Sequence, residues 1–253
     1  MNVIFVAGTA GAGKSLLTSK LLSSYSEKGS NAIAVNLDPG AIKLPYTPAV
    51  DVRDYVDLNS VMERYELGPN GALIFASDYI ATRWSEIQAE IDGTGADYAI
   101  IDTPGQMEVF TYRNSGSFIV SNVTCTQKVV IFLVDATLTT TPSNLVSMAF
   151  LTYSIRLRLG APQVVVLSKS DMVNDKIDKI LNWTSSLTAL EEALREEGGD
   201  SENYVFVSNI LRVMSKIGFA YGIIPTSSVT LDGFTNLSSA LSRILTGGEE
   251  VVD

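Results

Sequence analysis

The chain has 253 residues, 46% of them hydrophobic, with one cysteine and no histidine; 18 Lys and Arg against 28 Asp and Glu leave a net charge of −10. That length and apolar content suit one large domain or two small ones with a real core, and a pI near 4.5 argues against a surface built to grip nucleic-acid phosphates. The lone Cys125 rules out an intramolecular disulfide and a cysteine-based zinc site, and the missing histidines remove most zinc catalysis and every Ser–His or Cys–His nucleophile.

The run Met1–Ala7 has no basic flank and no cleavage site and leads straight into a glycine-rich loop. It reads as a first strand, Val3–Ala7, and not as a signal peptide. Lys14–Glu27 has helical spacing at Leu17, Leu21 and Leu22 and ends near Gly29; Ala32–Leu37 is the next strand. After an irregular, proline-bearing stretch through Pro48, helices are predicted over Leu58–Tyr65 and Ala72–Ile91. Tyr98–Ile101, Val129–Val134, Val164–Leu167 and Phe219–Ile224 are apolar runs too short for helices and too continuous for strands with one wet face. Ala136–Ile155 carries no charge, but its Thr- and Ser-rich first half and Pro142 make it too polar to span a bilayer. Glu191–Glu202, around Gly198-Gly199, reads as a solvated helix end and loop. The sum is one α/β domain over residues 1–253, with a mainly parallel sheet flanked by helices on both faces, expected to be soluble and cytoplasmic.

Gly8-Thr9-Ala10-Gly11-Ala12-Gly13-Lys14-Ser15 matches G-x-x-x-x-G-K-S between a predicted strand and a predicted helix. Its glycines let consecutive backbone N–H groups turn inward onto phosphate oxygens at a helix N-terminus. Lys14 reaches the β- and γ-phosphates and the Ser15 hydroxyl takes a Mg²⁺ position, so Gly11, Ala12, Gly13, Lys14, Ser15 and Leu16 form the first nucleotide-binding set. A chance match would occur in about one chain in a hundred of this length. The strand Tyr98–Ile101 then runs into Asp102-Thr103-Pro104-Gly105-Gln106. A carboxylate there, Asp102, can hold the metal shell across the phosphates from Ser15, and Gly105 can offer its N–H to a γ-phosphate. Finally, Val164–Leu167 leads into Ser168-Lys169-Ser170-Asp171, which resembles the N-K-x-D guanine motif with Ser in place of Asn. Asp171 can accept both N1–H and N2–H₂ of guanine, which adenine does not offer, and the Lys169 stem can lie over the ring.

Further segments fall in order along nearly the whole chain: Val35–Gly40, Leu44-Pro45-Tyr46, Asp51-Val52-Arg53, the tripeptide Gly68-Pro69-Asn70, Asp102–Glu108, Arg156–Gly160 and Asp232-Gly233-Phe234. Together they resemble the GPN-loop GTPases, within the SIMIBI branch of P-loop GTPases. The resemblance implies a three-layer P-loop fold with insertions at about 51–92, around the Gly-Pro-Asn loop, and about 107–158, an apolar helical region. It implies Mg²⁺ as cofactor and GTP as substrate. It also implies a homodimer in which Gly68-Pro69-Asn70 enters the partner's site and Asn70 offers its amide to the phosphates. No arginine finger stands in the P-loop or after Asp102, and a neutral amide stabilises developing charge less than a guanidinium, so turnover should be modest.

By the same resemblance Asp38 is the switch I carboxylate near the attacking water or the Mg²⁺ shell, Gln106 orients that water, and Glu108 holds a metal hydration water. The implied catalytic set is Asp38, Asn70, Asp102, Gln106 and Glu108, and the implied metal set Ser15, Asp38, Asp102 and Glu108. Ser227 takes the place of a family Ser-Ala-Lys segment that touches the guanine O6 through its backbone. Ser115–Ile155 holds only Lys128 and Asp135 as charges, more apolar surface than one strand buries. It either packs on the sheet or forms a surface for dimerisation or for a protein client. Other classes remain open: a P-loop kinase, which needs an acceptor pocket and usually a basic lid; a SIMIBI-type ATPase, which carries a Lys where Thr9 stands; or a nucleotide-dependent assembly chaperone. No direct contact with nucleic acid or membrane is expected.

Overall fold

Along each central strand, successive side chains face opposite ways and nearly all are apolar, so the sheet needs cover on both faces. The computed structural model describes residues 1–198, 202–216 and 222–247. Its strands are β1 (Asn2–Gly8), β2 (Ala32–Asn36), β3 (Val50–Asp51), β4 (Tyr98–Asp102), β5 (Lys128–Asp135), β6 (Gln163–Ser168) and β7 (Ile223–Pro225). They pair in the order β3-β2-β4-β1-β5-β6-β7, every neighbour parallel. The helices are α1 (Lys14–Glu27), α2 (Leu58–Tyr65), α3 (Pro69–Thr82), α4 (Trp84–Gly93), α5 (Met107–Thr111) and α6 (Asn114–Asn122). They continue with α7 (Pro142–Leu159), α8 (Ile177–Ser185), α9 (Leu187–Gly198), α10 (Glu202–Lys216) and α11 (Phe234–Leu245).

Ile4 and Val6 of β1, with Val129, Ile131 and Leu133 of β5, face α1 and α11, which bury Leu17, Leu21, Leu237, Leu241 and Leu245. Each such side chain contributes about 1.5–3 kcal/mol when fully buried. Val3, Phe5 and Ala7, with Val130, Phe132 and Val134, face the thicker layer built from the helices between α2 and α10. The predicted α/β class, the parallel sheet and the two helical layers are all present.

The structure changes or sharpens several local expectations. The helix expected over Ala72–Ile91 is two helices: α3 starts at Pro69, and the chain breaks at Arg83 (φ −96°, ψ 6°) before α4. Gly68 is the N-cap of α3 and Pro69 its first residue, so Gly-Pro-Asn opens a helix. The stretch before Asp51 yields β3, a two-residue edge strand on β2. Ala136–Ile155 divides into a single 3₁₀ turn, Ala136–Thr139, and the helix α7; no helix among the described residues is long and apolar enough to cross a membrane. The last strand begins at Ile223, and residues 219–221 of the predicted run lie outside the described residues, as do 199–201 of the charged stretch near Gly198-Gly199.

Candidate nucleotide-binding site

Parallel strands bring their carboxyl ends to one edge, and the chain crosses from one side of β1 to the other there. A ligand crevice belongs at that switch point. Gly8, Asn36, Asp102, Asp135 and Ser168 end β1, β2, β4, β5 and β6 on this edge. Between β1 and α1, Gly11 (φ 74°) and Gly13 (φ 93°) take left-handed conformations, and Gly13 caps α1. Lys14 follows, 6% exposed. Its Nζ donates to the carbonyls of Gly8 (3.1 Å), Thr9 (3.0 Å) and Gly105 (3.0 Å). Burial lowers the Lys14 pKa, and the carboxylates of Asp102, Asp38 and Glu108 oppose that shift.

Asp102 is 1% exposed. Its Oδ2 accepts a 2.8 Å hydrogen bond from the Tyr46 hydroxyl, while its Oδ1 is buried without a partner. Desolvation raises its pKa to about 6, against the downward pull of the Ser15 and Tyr46 hydroxyls and of Lys14. Burial, and then the Asp102 charge, push the Tyr46 phenol well above its usual range. Among the described residues no three His, Cys, Asp or Glu side chains gather to hold a metal by themselves. One hydroxyl at Ser15 and one orphaned carboxylate oxygen at Asp102 fit Mg²⁺, which keeps waters and phosphate oxygens as its other ligands. They are a poor fit for a protein-caged metal.

The loop after β2 is tied to this centre. Asp38 Oδ2 accepts from the Gly105 N–H (2.8 Å), the donor expected to meet a γ-phosphate, and Asp38 Oδ1 accepts from the Gly40 N–H (2.8 Å). Asp38 is thus both a turn former and a contact to the loop after β4. Its neighbours are braced: Asn36 donates to the Asp38 carbonyl and to Asp51 Oδ1, and Arg53 grips both oxygens of Asp51 while donating to the Ala41 carbonyl. Gly68, Pro69 and Asn70 are exposed, and Asn70 Oδ1 accepts from Gln106 Nε2 of the same chain at 3.3 Å. Gln106 and Glu108 are exposed at the start of α5.

The loop expected to read the base is also on this edge. Lys169 (φ 57°) donates to Asp135 Oδ2 at 2.6 Å, and Asp171 is half-buried in the following turn. Ser168 is buried and donates to the Val134 carbonyl (3.2 Å), a bond that leads into the sheet. Ser227 is fully buried; its N–H donates to the Asp232 carbonyl and its Oγ accepts from the N–H groups of Val229 and Thr230. The structure brings Lys14, Ser15, Asp38, Asp102 and Gly105 together, with Asn70, Gln106 and Glu108 at their rim. Tyr46 joins this cluster through Asp102, and Asp135 joins the base loop through Lys169; neither had an assigned role, and for Tyr46 the signal was only its place in a matching segment.

A family model described as a conserved hypothetical ATP binding protein matches residues 6–247. GPN-loop GTPase 1 of Dictyostelium discoideum is 31% identical over 217 residues, which cover 85% of this chain and 53% of that protein. A GPN-loop GTPase of Pyrococcus abyssi is 35% identical over 178 residues, 70% of each chain. The crystal structure of a GTPase in apo form from Pyrococcus abyssi matches with a TM-score of 0.84 at 28% identity, covering 96% of each chain. The chain spans 53–61% of the length of the Dictyostelium and Arabidopsis relatives.

Proposed function

The chain belongs to the GPN-loop GTPase family, and on that premise we propose that it binds GTP with Mg²⁺ and hydrolyses it to GDP and phosphate as a homodimeric cytoplasmic switch, folded as one domain over residues 1–253. The observation that carries this reading is the half-buried cluster in which Lys14, Asp38 and the Asp102 loop meet at Gly105. Lys14 and the P-loop N–H groups hold the phosphates, and Gln106 with Asp38 places a water in line with the γ-phosphorus. The water oxygen bonds to that phosphorus as the bond to the β-phosphate bridging oxygen breaks; GDP leaves with that electron pair and the water's proton passes to phosphate oxygen. Ser15 and Asp102 would hold Mg²⁺, with Asp38 and Glu108 on its hydration shell. When bound, the ion neutralises charge on the phosphates. Asp171, Lys169 and the backbone at Ser227 hold the base.

Gly68-Pro69-Asn70 is exposed, which suits insertion into a partner's site, yet Asn70 also touches its own Gln106. Complementation separates the two arrangements. Lys14→Ala and Asn70→Ala chains, each inactive alone, should regain phosphate release when mixed if Asn70 acts across the dimer; no recovery would place it in its own site. The groove lined by Phe150 of α7 and Phe206, Ile210 and Val213 of α10 is the surface we assign to a protein client, as for an assembly factor. The inward turn of Ser168 favours a second reading, in which base selection is loose and ATP is also used. The deciding experiment is Mg²⁺-dependent phosphate release from GTP and from ATP over a range of protein concentrations. Preference for GTP, with specific activity rising as dimers form, supports the proposal; preference for ATP, or release only with an added acceptor, overturns it.

A further inference from the structure

We propose that Asp135 is a positioning residue for the nucleobase, acting by holding Lys169 in place before the base arrives. The inference rests on the reading of Ser168–Asp171 as the base-binding loop. Asp135 ends β5, and its register partner Ser168 ends β6, so Lys169 leaves the sheet directly beside it. The Lys169 backbone is left-handed (φ 57°), and its ammonium reaches Asp135 Oδ2 at 2.6 Å. Asp135 cannot turn to follow a moving lysine. Its Oδ1 accepts from both the N–H (3.0 Å) and the Oγ1 (2.7 Å) of Thr137.

The exposures divide the labour. The Asp135 side chain is 10% exposed and that of Lys169 is 35% exposed, so the anchor is withdrawn while part of the lysine stays open to a ligand. A tethered ammonium leaves the methylene stem as a fixed apolar rail for a ring to lie on. An untethered lysine would have to give up its rotamer freedom at the moment of binding, and that cost would appear as weaker affinity. Lys169 and Asp171 then do different work. The stem meets the ring face, which guanine and hypoxanthine share, whereas Asp171 reads the exocyclic edge.

The test is a double-mutant cycle on the full chain, with dissociation constants for GDP and IDP. Asp135→Asn keeps the acceptor for Thr137 but weakens the tie to Lys169, and Lys169→Met keeps the stem but removes the ammonium. Each should weaken GDP and IDP by one common factor of about 5- to 10-fold. The double variant should be no weaker than either single. In turnover the Asp135→Asn loss should appear in KM and leave kcat within about twofold. Asp171→Ala, in contrast, should weaken GDP more than IDP, which lacks the 2-amino group. Additive losses, unequal losses for the two bases, or no loss with Asp135→Asn would overturn the role of Asp135 while leaving the base loop intact. A wild-type chain that binds ADP as well as GDP would overturn the reading beneath it.

Discussion

Replacing Tyr46 with Phe removes one oxygen from the site, and the structure sets the size of the effect. The ring keeps its packing, and Asp102 Oδ2 loses its 2.8 Å donor. Oδ1 is already without a partner, and the residue is 1% exposed, so no water replaces the lost bond. With Asp102 ionised, a charge-assisted hydrogen bond disappears and the buried carboxylate keeps only the pull of Ser15 and Lys14, a loss of about 1.5–3 kcal/mol. With Asp102 protonated, the loss falls to that of a neutral bond, about 0.5–1.5 kcal/mol. The Asp102 pKa near 6 places the changeover inside an accessible range. Urea unfolding without nucleotide or Mg²⁺ should therefore show Tyr46→Phe destabilised more at pH 7.5 than at pH 5, with an unchanged slope against denaturant. An equal loss at both pH values, or a loss below about 0.5 kcal/mol at pH 7.5, would refute the claim that this bond stabilises a buried charge.

Three other outcomes follow from the structure. The folded-state pKa of Asp102 is raised, so its contribution to the stability of the free chain is full below pH 4 and is lost as pH rises through about 6. Mg²⁺ needs the ionised form; metal-dependent thermal stabilisation by GDP should hold above pH 6 and weaken by about tenfold in Mg²⁺ affinity per unit below it, and a flat profile from pH 7 to 5 would exclude Asp102 as a ligand. A Cβ added at Gly116 of α6 would overlap the Phe110 carbonyl at the end of α5. Gly116→Ala should cost about 3 kcal/mol or more, read as a large fall in melting temperature, and a shift of only a degree or two would show that α5 and α6 can separate.

What could be read from the sequence was whatever depends on neighbours along the chain. Strands such as Val129–Val134 are continuous apolar runs because both sheet faces are covered, and the P-loop is a local strand–turn–helix unit. The break at Arg83 was hidden because Ile80, Trp84, Ile87 and Ile91 keep a buried helical stripe across it, and no Gly or Pro marks the spot. The break is seen only in the Arg83 backbone, whose side chain reaches Tyr79 and Glu86 on either side. That Gly-Pro-Asn opens a helix was equally hidden, because a helix cap and a turn use the same residues. The roles of Tyr46 and Asp135 were out of reach. Their partners Asp102 and Lys169 lie 56 and 34 residues away, brought close only by a strand order that local pattern does not encode.

That strand order also makes one residue the meeting point of the site. The Gly105 N–H is held by the Asp38 carboxylate, and the Gly105 carbonyl by the Lys14 ammonium. On the proposed reading a γ-phosphate claims both donors, so its arrival competes with Asp38 for the N–H and with the carbonyl for Lys14. Each bond to a charged group carries about 1.5–3 kcal/mol, and the phosphate has to replace both. GDP still offers Lys14 a β-phosphate but has no group to compete for the Gly105 N–H, so on that reading the tie to Asp38 stays intact. Once displaced from the N–H, the Asp38 carboxylate is released to the attacking water and the Mg²⁺ hydration shell, and the loop around it need not unravel. Its shoulders at Asn36 and Ala41 are fixed to the Asp51–Arg53 pair, which takes no part in the exchange. On the proposed reading, sensing of the third phosphate is confined to Asp38 and Gly105, beside the braced segment, and the response would pass along the chain from Gly105 to Gln106 and into α5.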